Sequence, residues 1–217
     1  MKNILEIKNL YHAYNPEIST IKDFSFSLSK GEIVSIIGAS GIGKTTLLRI
    51  IAGLESIIDG EVIINEQVVS KKNFILPPEK RNVGLVVEDR ALFPHLNVEK
   101  NVMFGIRHLQ ERNSLAHEYL SLFKVADLGK KYPHEISAGQ QQRVAFARTL
   151  ITNPDILLLD EPFGALDKNL KTELHLETKK IFKDKGLSVL LVTHDQEEAE
   201  YFSDRVIEFH KDKITIR

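Results

Sequence analysis

The sequence predicts an α/β fold: a core with a mostly parallel sheet, an antiparallel β layer at the N-terminus and a helical subdomain inserted at about residues 93–150. Three observations predict it. Short, continuous apolar runs recur at Glu32 to Gly38, Val83 to Val87, Ile156 to Leu159 and Val189 to Thr193; with helical segments between them, they read as strands of a parallel sheet covered on both faces. Period-two alternation marks Ile4 to Leu10 and the set Phe24, Phe26 and Leu28, as in a sheet with one face on a core. Between about Phe93 and Leu150 strand signals give way to helix formers, with breaks at Gly105, Gly129 and Pro133.

Taken in order, the first two alternating strands end at the Lys30-Gly31 turn, and the run EIVSIIG forms the first buried strand. A glycine-rich loop follows, and helix-like spacing from Thr45 to Leu54 ends near Gly53. A short strand at Val62 to Ile64 precedes the one at Val83 to Val87; after the helical stretch come the last two apolar runs, then strand-like Val206 to Phe209 and Ile214 to Ile216. Residues 1–217 are expected to form a single domain, with no C-terminal regulatory domain.

Composition excludes several functions. There is no cysteine, so disulfides, thiolate metal sites and a cysteine nucleophile are excluded. Twenty-nine basic and thirty acidic residues leave a formal charge of −1, which gives no global attraction to nucleic acid, and none is expected as a partner. The N-terminal segment MKNILEIKNLYHAY lacks the apolar block of a signal peptide, and no apolar run is long enough to span a bilayer.

Chemistry enters with Gly38-Ala39-Ser40-Gly41-Ile42-Gly43-Lys44-Thr45, which fits the phosphate-loop pattern G-x-x-x-x-G-K-[ST] between a predicted strand and a predicted helix. Backbone N–H groups from Gly38 to Thr46 and the positive end of the helix suit the phosphates of ATP. Lys44 should reach the β- and γ-phosphates, and the Thr45 hydroxyl should ligate Mg2+. Asp160 and Glu161 end a buried strand, where parallel sheets gather ligand-binding groups. Asp160 is the second candidate magnesium ligand, and Glu161 the candidate general base for the attacking water. His194 ends another apolar strand and should emerge on the same edge, near the γ-phosphate. Each has a plainer reading: a helix-capping turn, a pair of carboxylates capping the turn at Pro162, and a surface histidine.

Between the loop and the acidic pair lies Ile136-Ser137-Ala138-Gly139-Gln140-Gln141-Gln142-Arg143. It resembles the LSGGQQQR signature of the ATP-binding subunits of ATP-binding cassette (ABC) transporters, and the resemblance covers nearly the whole chain. It implies an ABC ATPase fold and ATP hydrolysis by two copies that meet head to tail, with Ser137, Ala138, Gly139 and Gln140 of one copy closing the phosphate-loop site of the other. By the same resemblance Tyr14 stacks on adenine, with Tyr11 as its competitor, and Asp167 in Ala165-Leu166-Asp167 contacts the opposite cassette.

Two positions depart from the family pattern. Ala138 replaces a glycine and adds one methyl, tolerable where φ is negative. Glu88 stands where the family usually has a glutamine that ligates magnesium and couples the site to the helical subdomain. Glu88 is therefore a candidate coupling residue and magnesium ligand, and its charge predicts slower or more tightly partner-gated turnover.

Ala91-Leu92-Phe93-Pro94-His95-Leu96 and the segment Asp160 to Asp167 resemble the importer branch that takes up ferric iron, polyamines, thiamine, sugars or oxyanions. That implies a peripheral protein on the cytoplasmic face of the inner membrane, bound to an integral permease and served indirectly by a solute-binding protein. A soluble ABC ATPase in an assembly role and a regulatory nucleotide-binding subunit with weak hydrolysis are the competing readings.

Overall fold

The computed structural model describes residues 2–15, 19–164, 168–209 and 214–216, of which 168–170 and 214–216 are described by their backbone. In chain order the elements are β1 (Asn3–His12), β2 (Ile21–Ser29), β3 (Ile33–Ile37), α1 (Lys44–Ala52), β4 (Asp59–Ile64), β5 (Gln67–Lys71), β6 (Phe74–Ile75) and β7 (Val83–Val86). Three helices follow, α2 (Val98–Met103), α3 (Arg112–Leu122) and α4 (Ala138–Leu150). Then come β8 (Ile156–Asp160), α5 (Lys168–Asp184), β9 (Ser188–Thr193), α6 (Gln196–Phe202), β10 (Arg205–Phe209) and β11 (Ile214–Ile216).

The strands make two sheets. One is antiparallel, in the order β2-β1-β4-β5-β6. The other runs β11-β10-β3-β9-β8-β7 and is parallel except for its edge pair β10–β11. The continuous apolar runs have a direct explanation here. Alternate residues of the central strands feed two different cores: Leu157, Leu159, Val189 and Leu191 pack toward the helices. Val34, Ile36, Leu158, Leu190 and Val192 face the side shared with the antiparallel sheet and α1. Each such side chain contributes about 1.5–3 kcal/mol of burial, so a polar residue at any of them would cost more than a surface change.

The β5–β6 hairpin is additional to the strands expected from the sequence, and the charged Arg81 is part of what holds it. Arg81 is 3% exposed. Its guanidinium donates to the Leu76 carbonyl at 2.7 Å, to those of Ile50 and Ile51 at 2.8 and 2.9 Å, and to the Val69 carbonyl and Ser70 hydroxyl at 2.9 and 2.8 Å. One side chain thus ties the C-terminal carbonyls of α1 to the hairpin, and burial lowers its pKa to about 10.

Between β7 and β8 the described chain is helical, with short 3-10 turns at Phe104–Ile106, Ala126–Leu128 and Pro133–Glu135. The segment leading from β7 into this region is fastened twice. Arg148 of α4 donates to the carbonyls of Ala91 and Arg90 at 2.8 and 3.1 Å. Asn101 of α2, fully buried, accepts from the Phe93 N–H at 2.9 Å and donates to the Phe93 and Leu96 carbonyls at 3.0 and 2.9 Å.

Candidate active site

The loop between β3 and α1 is tight because of two glycines. Gly43 lies at φ 108°, where a side chain would be strained, and a Cβ on Gly38 would approach the Phe209 carbonyl oxygen to 2.5 Å. No side chain caps α1, so its first N–H groups and the positive end of its dipole lie open to an anion. Lys44 is 5% exposed, and its Nζ donates to the carbonyls of Gly38 and Ala39 at 2.8 and 2.9 Å. Burial pushes the Lys44 pKa down, while the charges of Glu161 and Asp160 oppose the shift.

A cavity of about 390 Å³ lies over the loop, with Tyr14, Ser40, Gly41, Lys44, Thr45 and Glu161 among the residues that line it. Thr46 also lines it and shares a 3.2 Å hydrogen bond with the Tyr14 hydroxyl. Ile42 instead packs against the core. Of the two competing tyrosines, Tyr14 is the one at the cavity: it is 62% exposed and meets the His12 ring edge-on at 4.6 Å.

Asp160 enters from the end of β8. Its Oδ1 accepts a hydrogen bond from the Thr45 hydroxyl at 3.1 Å. Burial raises the Asp160 pKa above the usual carboxylate range; the Thr45 hydrogen bond opposes this, and the charges of Glu161 and Glu88 add to it. Among the described residues no three His, Cys, Asp or Glu side chains are close enough to hold a metal ion together. The Thr45 and Asp160 oxygens fit a hard cation that takes few protein ligands and fills its shell with phosphate and water, which is the habit of Mg2+.

Glu161 and His194 meet across two strands: Nδ1 of His194 lies 2.9 Å from Oε2 of Glu161. Glu161 adopts φ 45° while its N–H still donates to the Val192 carbonyl at 2.9 Å. The segment after His194 is anchored to α5, because Lys171 donates to Asp195 at 2.6 Å and lies 2.9 Å from Glu198. That hydrogen bond holds the Asp195 carboxyl below its ordinary pKa, and Asp195 in turn caps α6 through the Glu198 N–H at 3.1 Å. Lys171 and the left-handed Glu161 carry no sequence signal of their own.

Ser137, Ala138, Gly139 and Gln140 are not among the residues that line this cavity. They form the start of α4, where Ser137 is the N-cap: its hydroxyl accepts from the Gln140 N–H at 3.3 Å, and the Gln140 side chain accepts from the Ser137 N–H at 2.9 Å. Ala138 is the first helical residue and has no positive φ, so its methyl fits. Glu88 follows β7, with Oε1 3.7 Å from the point where Gly164 would carry a Cβ. Asp167 lies outside the described residues, as do Ala165 and Leu166.

Comparison with known proteins identifies the family and the fold. Residues 21–164 match the family model described as ABC transporter. The chain is 41% identical over 215 residues to the Fe(3+) ions import ATP-binding protein FbpC 2 of Haemophilus influenzae, covering 97% of this chain and 60% of that protein. It is 40% identical over 218 residues to the spermidine/putrescine import ATP-binding protein PotA of Bacillus anthracis, covering 99% of this chain and 65% of that one. The chain therefore spans about 60–65% of the length of these two relatives. Among solved structures, the ATP-binding cassette MJ0796, dimeric and bound to ADP and Pi after hydrolysis, superposes with a TM-score of 0.85 at 31% identity and 98% coverage of both chains. With a family model over most of its length and an ABC cassette fold to match, the chain belongs to the ABC transporter family.

Proposed function

We propose that the chain is the ATP-binding and ATP-hydrolysing subunit of an ABC importer, and that it converts closure of a head-to-tail dimer into transport by a membrane permease. The observation that supports this reading is that Lys44, Thr45 and Glu161 line one cavity at one end of the parallel sheet, with Asp160 bonded to Thr45 and His194 to Glu161.

In this reading the N–H groups from Gly38 to Thr46, the α1 dipole and Lys44 bind the β- and γ-phosphates. Tyr14 stacks on the adenine. Thr45 and Asp160 hold Mg2+, which neutralises charge on the phosphate oxygens when bound. Glu161 takes up the proton of the attacking water as it closes on the γ-phosphate. His194 holds the Glu161 carboxylate through Nδ1, so its other ring nitrogen can face the reacting water and phosphate.

Ser137 to Gln140 of a second copy complete the site. The α4 N-terminus is exposed and preorganised by its own capping box, which suits a second contact with the γ-phosphate. The dimeric form of the similar cassette supports this arrangement, and Asp167 is proposed to lie in the same contact. Glu88 and the tethered segment that follows it are proposed to link the site to the helices between β7 and β8.

The named relatives power import of different cargoes, iron in one and polyamines in the other. Accordingly the chain is assigned the energy-coupling role, with cargo chosen by a permease and a solute-binding protein. No helix among the described residues is long and apolar enough to cross a membrane, and the proposed location is peripheral, on the cytoplasmic face of the inner membrane.

The test is a pair of variants. Glu161→Gln is expected to bind ATP, to lose about 10²-fold or more of turnover, and to accumulate as an ATP-bound dimer in gel filtration. A monomer at saturating ATP contradicts the shared site. Lys44→Ala is expected to weaken nucleotide binding and turnover together, and unchanged affinity removes its phosphate role.

A further inference from the structure

Glu88 brings a third carboxylate beside the acidic pair from a different segment, at the side of Glu161, the one of the three that lines the cavity. Its Oε1 and the Oε2 of Glu161 lie 3.7 and 3.8 Å from a single point, the place of a Cβ on Gly164. The charges of Glu161 and Glu88 both act on Asp160, and Lys44 is the cation that counters them there. That cation is buried and already donates to two loop carbonyls. Three carboxylates against one lysine oppose the attraction that the open N-terminus of α1 offers a bare triphosphate. Yet these carboxylates are not close enough to chelate a metal by themselves, since no such group of three exists among the described residues.

We propose that Glu88 makes the metal and the nucleotide bind as one unit: its charge opposes entry of ATP without a divalent cation and favours ATP that carries one. The inference rests on the cavity being an ATP site. Because coupling between two ligands is reciprocal, ATP must raise the affinity for Mg2+ by the same factor by which Mg2+ raises that for ATP. Glu88 is exposed, so its charge acts through partly screened surroundings. A single charge there changes the ratio of the two ATP affinities about three- to tenfold.

Calorimetric titration of the full chain measures this with three probes: ATP in excess EDTA, ATP in excess MgCl2, and MgCl2 alone. The wild type is expected to give no saturable binding of MgCl2 alone and a large ratio between the Kd for ATP in EDTA and that in MgCl2. Glu88→Gln should lower that ratio about three- to tenfold, mainly through tighter binding of ATP in EDTA. Glu88→Asp retains the charge and should keep most of the wild-type ratio, and the difference between wild type and Glu88→Gln should shrink as salt is added.

Equal ratios in wild type and Glu88→Gln overturn the proposal, as does a Glu88→Asp variant that behaves like Glu88→Gln, or saturable MgCl2 binding without nucleotide. In each of those cases ATP with MgCl2 still binds, and the ATP-site reading stands. A wild type that binds no ATP even with MgCl2 overturns both.

Discussion

Glu161 shows how much local strain the site carries. Its φ of 45° costs a non-glycine residue about 1 kcal/mol or more, and the fold holds it there because its N–H remains bonded to the adjacent strand at Val192. The reversed backbone leaves the carboxylate against His194. A second histidine, His175, shows the opposite use of burial. It packs edge-on against Phe163 at 4.5 Å and Phe202 at 5.0 Å, and its side chain is 12% exposed. Burial, reinforced by the charge of Lys171 and opposed by Asp195, lowers its pKa to about 4. A histidine that stays neutral in the fold is protonated in the unfolded chain below its ordinary pKa of 6.5. Between pH 6.5 and 4 the unfolded state therefore binds the extra proton, and stability falls as pH falls. The expected loss is about 3 kcal/mol across that window. Urea unfolding at a series of pH values should show it in the wild type and not in His175→Gln; identical slopes would count against the assignment.

At the scale of elements, α1, the helix proposed to bind phosphate, is held at both ends, and Arg81 holds the far one. The carbonyls of Ile50 and Ile51 at the end of α1, of Val69 in β5 and of Leu76 all converge on its guanidinium. Arg81→Met strands those acceptors and is expected to cost about 3 kcal/mol or more by denaturant unfolding. Arg81→Lys should not restore it, since an ammonium offers three donors where the guanidinium offers five in a fixed fork. A loss below about 1 kcal/mol for Arg81→Met would refute the role. Arg81 also marks where the sequence stops being legible. The phosphate loop, the acidic pair and His194 lie at the ends of strongly patterned strands, so periodicity places them on one edge. A charged residue reads as solvent-facing, and the backbone carbonyls that bury Arg81 leave no trace in side-chain pattern. The hairpin it supports is equally faint: Gln67–Lys71 and Phe74–Ile75 are short, and of the seven residues only Val69 and Ser70 are buried. The positive φ of Glu161 is likewise a tertiary effect, set by its bond to Val192 and not by its residue type.

For the whole molecule, the decisive relation is between two places that the single chain keeps apart: the cavity over Lys44 and the N-terminus of α4 at Ser137. If each site takes one of these from each copy, two defects in different chains complement each other. In a dimer of one Lys44→Ala chain and one Ser137→Arg chain, one site collects both defects. The other pairs an intact phosphate loop with an intact α4 N-terminus. Random mixing of the two variants puts half the dimers in this mixed form with one good site of two, so hydrolysis should recover to about a quarter of wild type. Each variant alone should be nearly inactive, because its homodimer has a defect in both sites. Steady-state phosphate release from the two proteins, separately and mixed, measures this directly. A mixture no more active than its parents would contradict the head-to-tail arrangement; recovery would show that the catalytic unit is the pair.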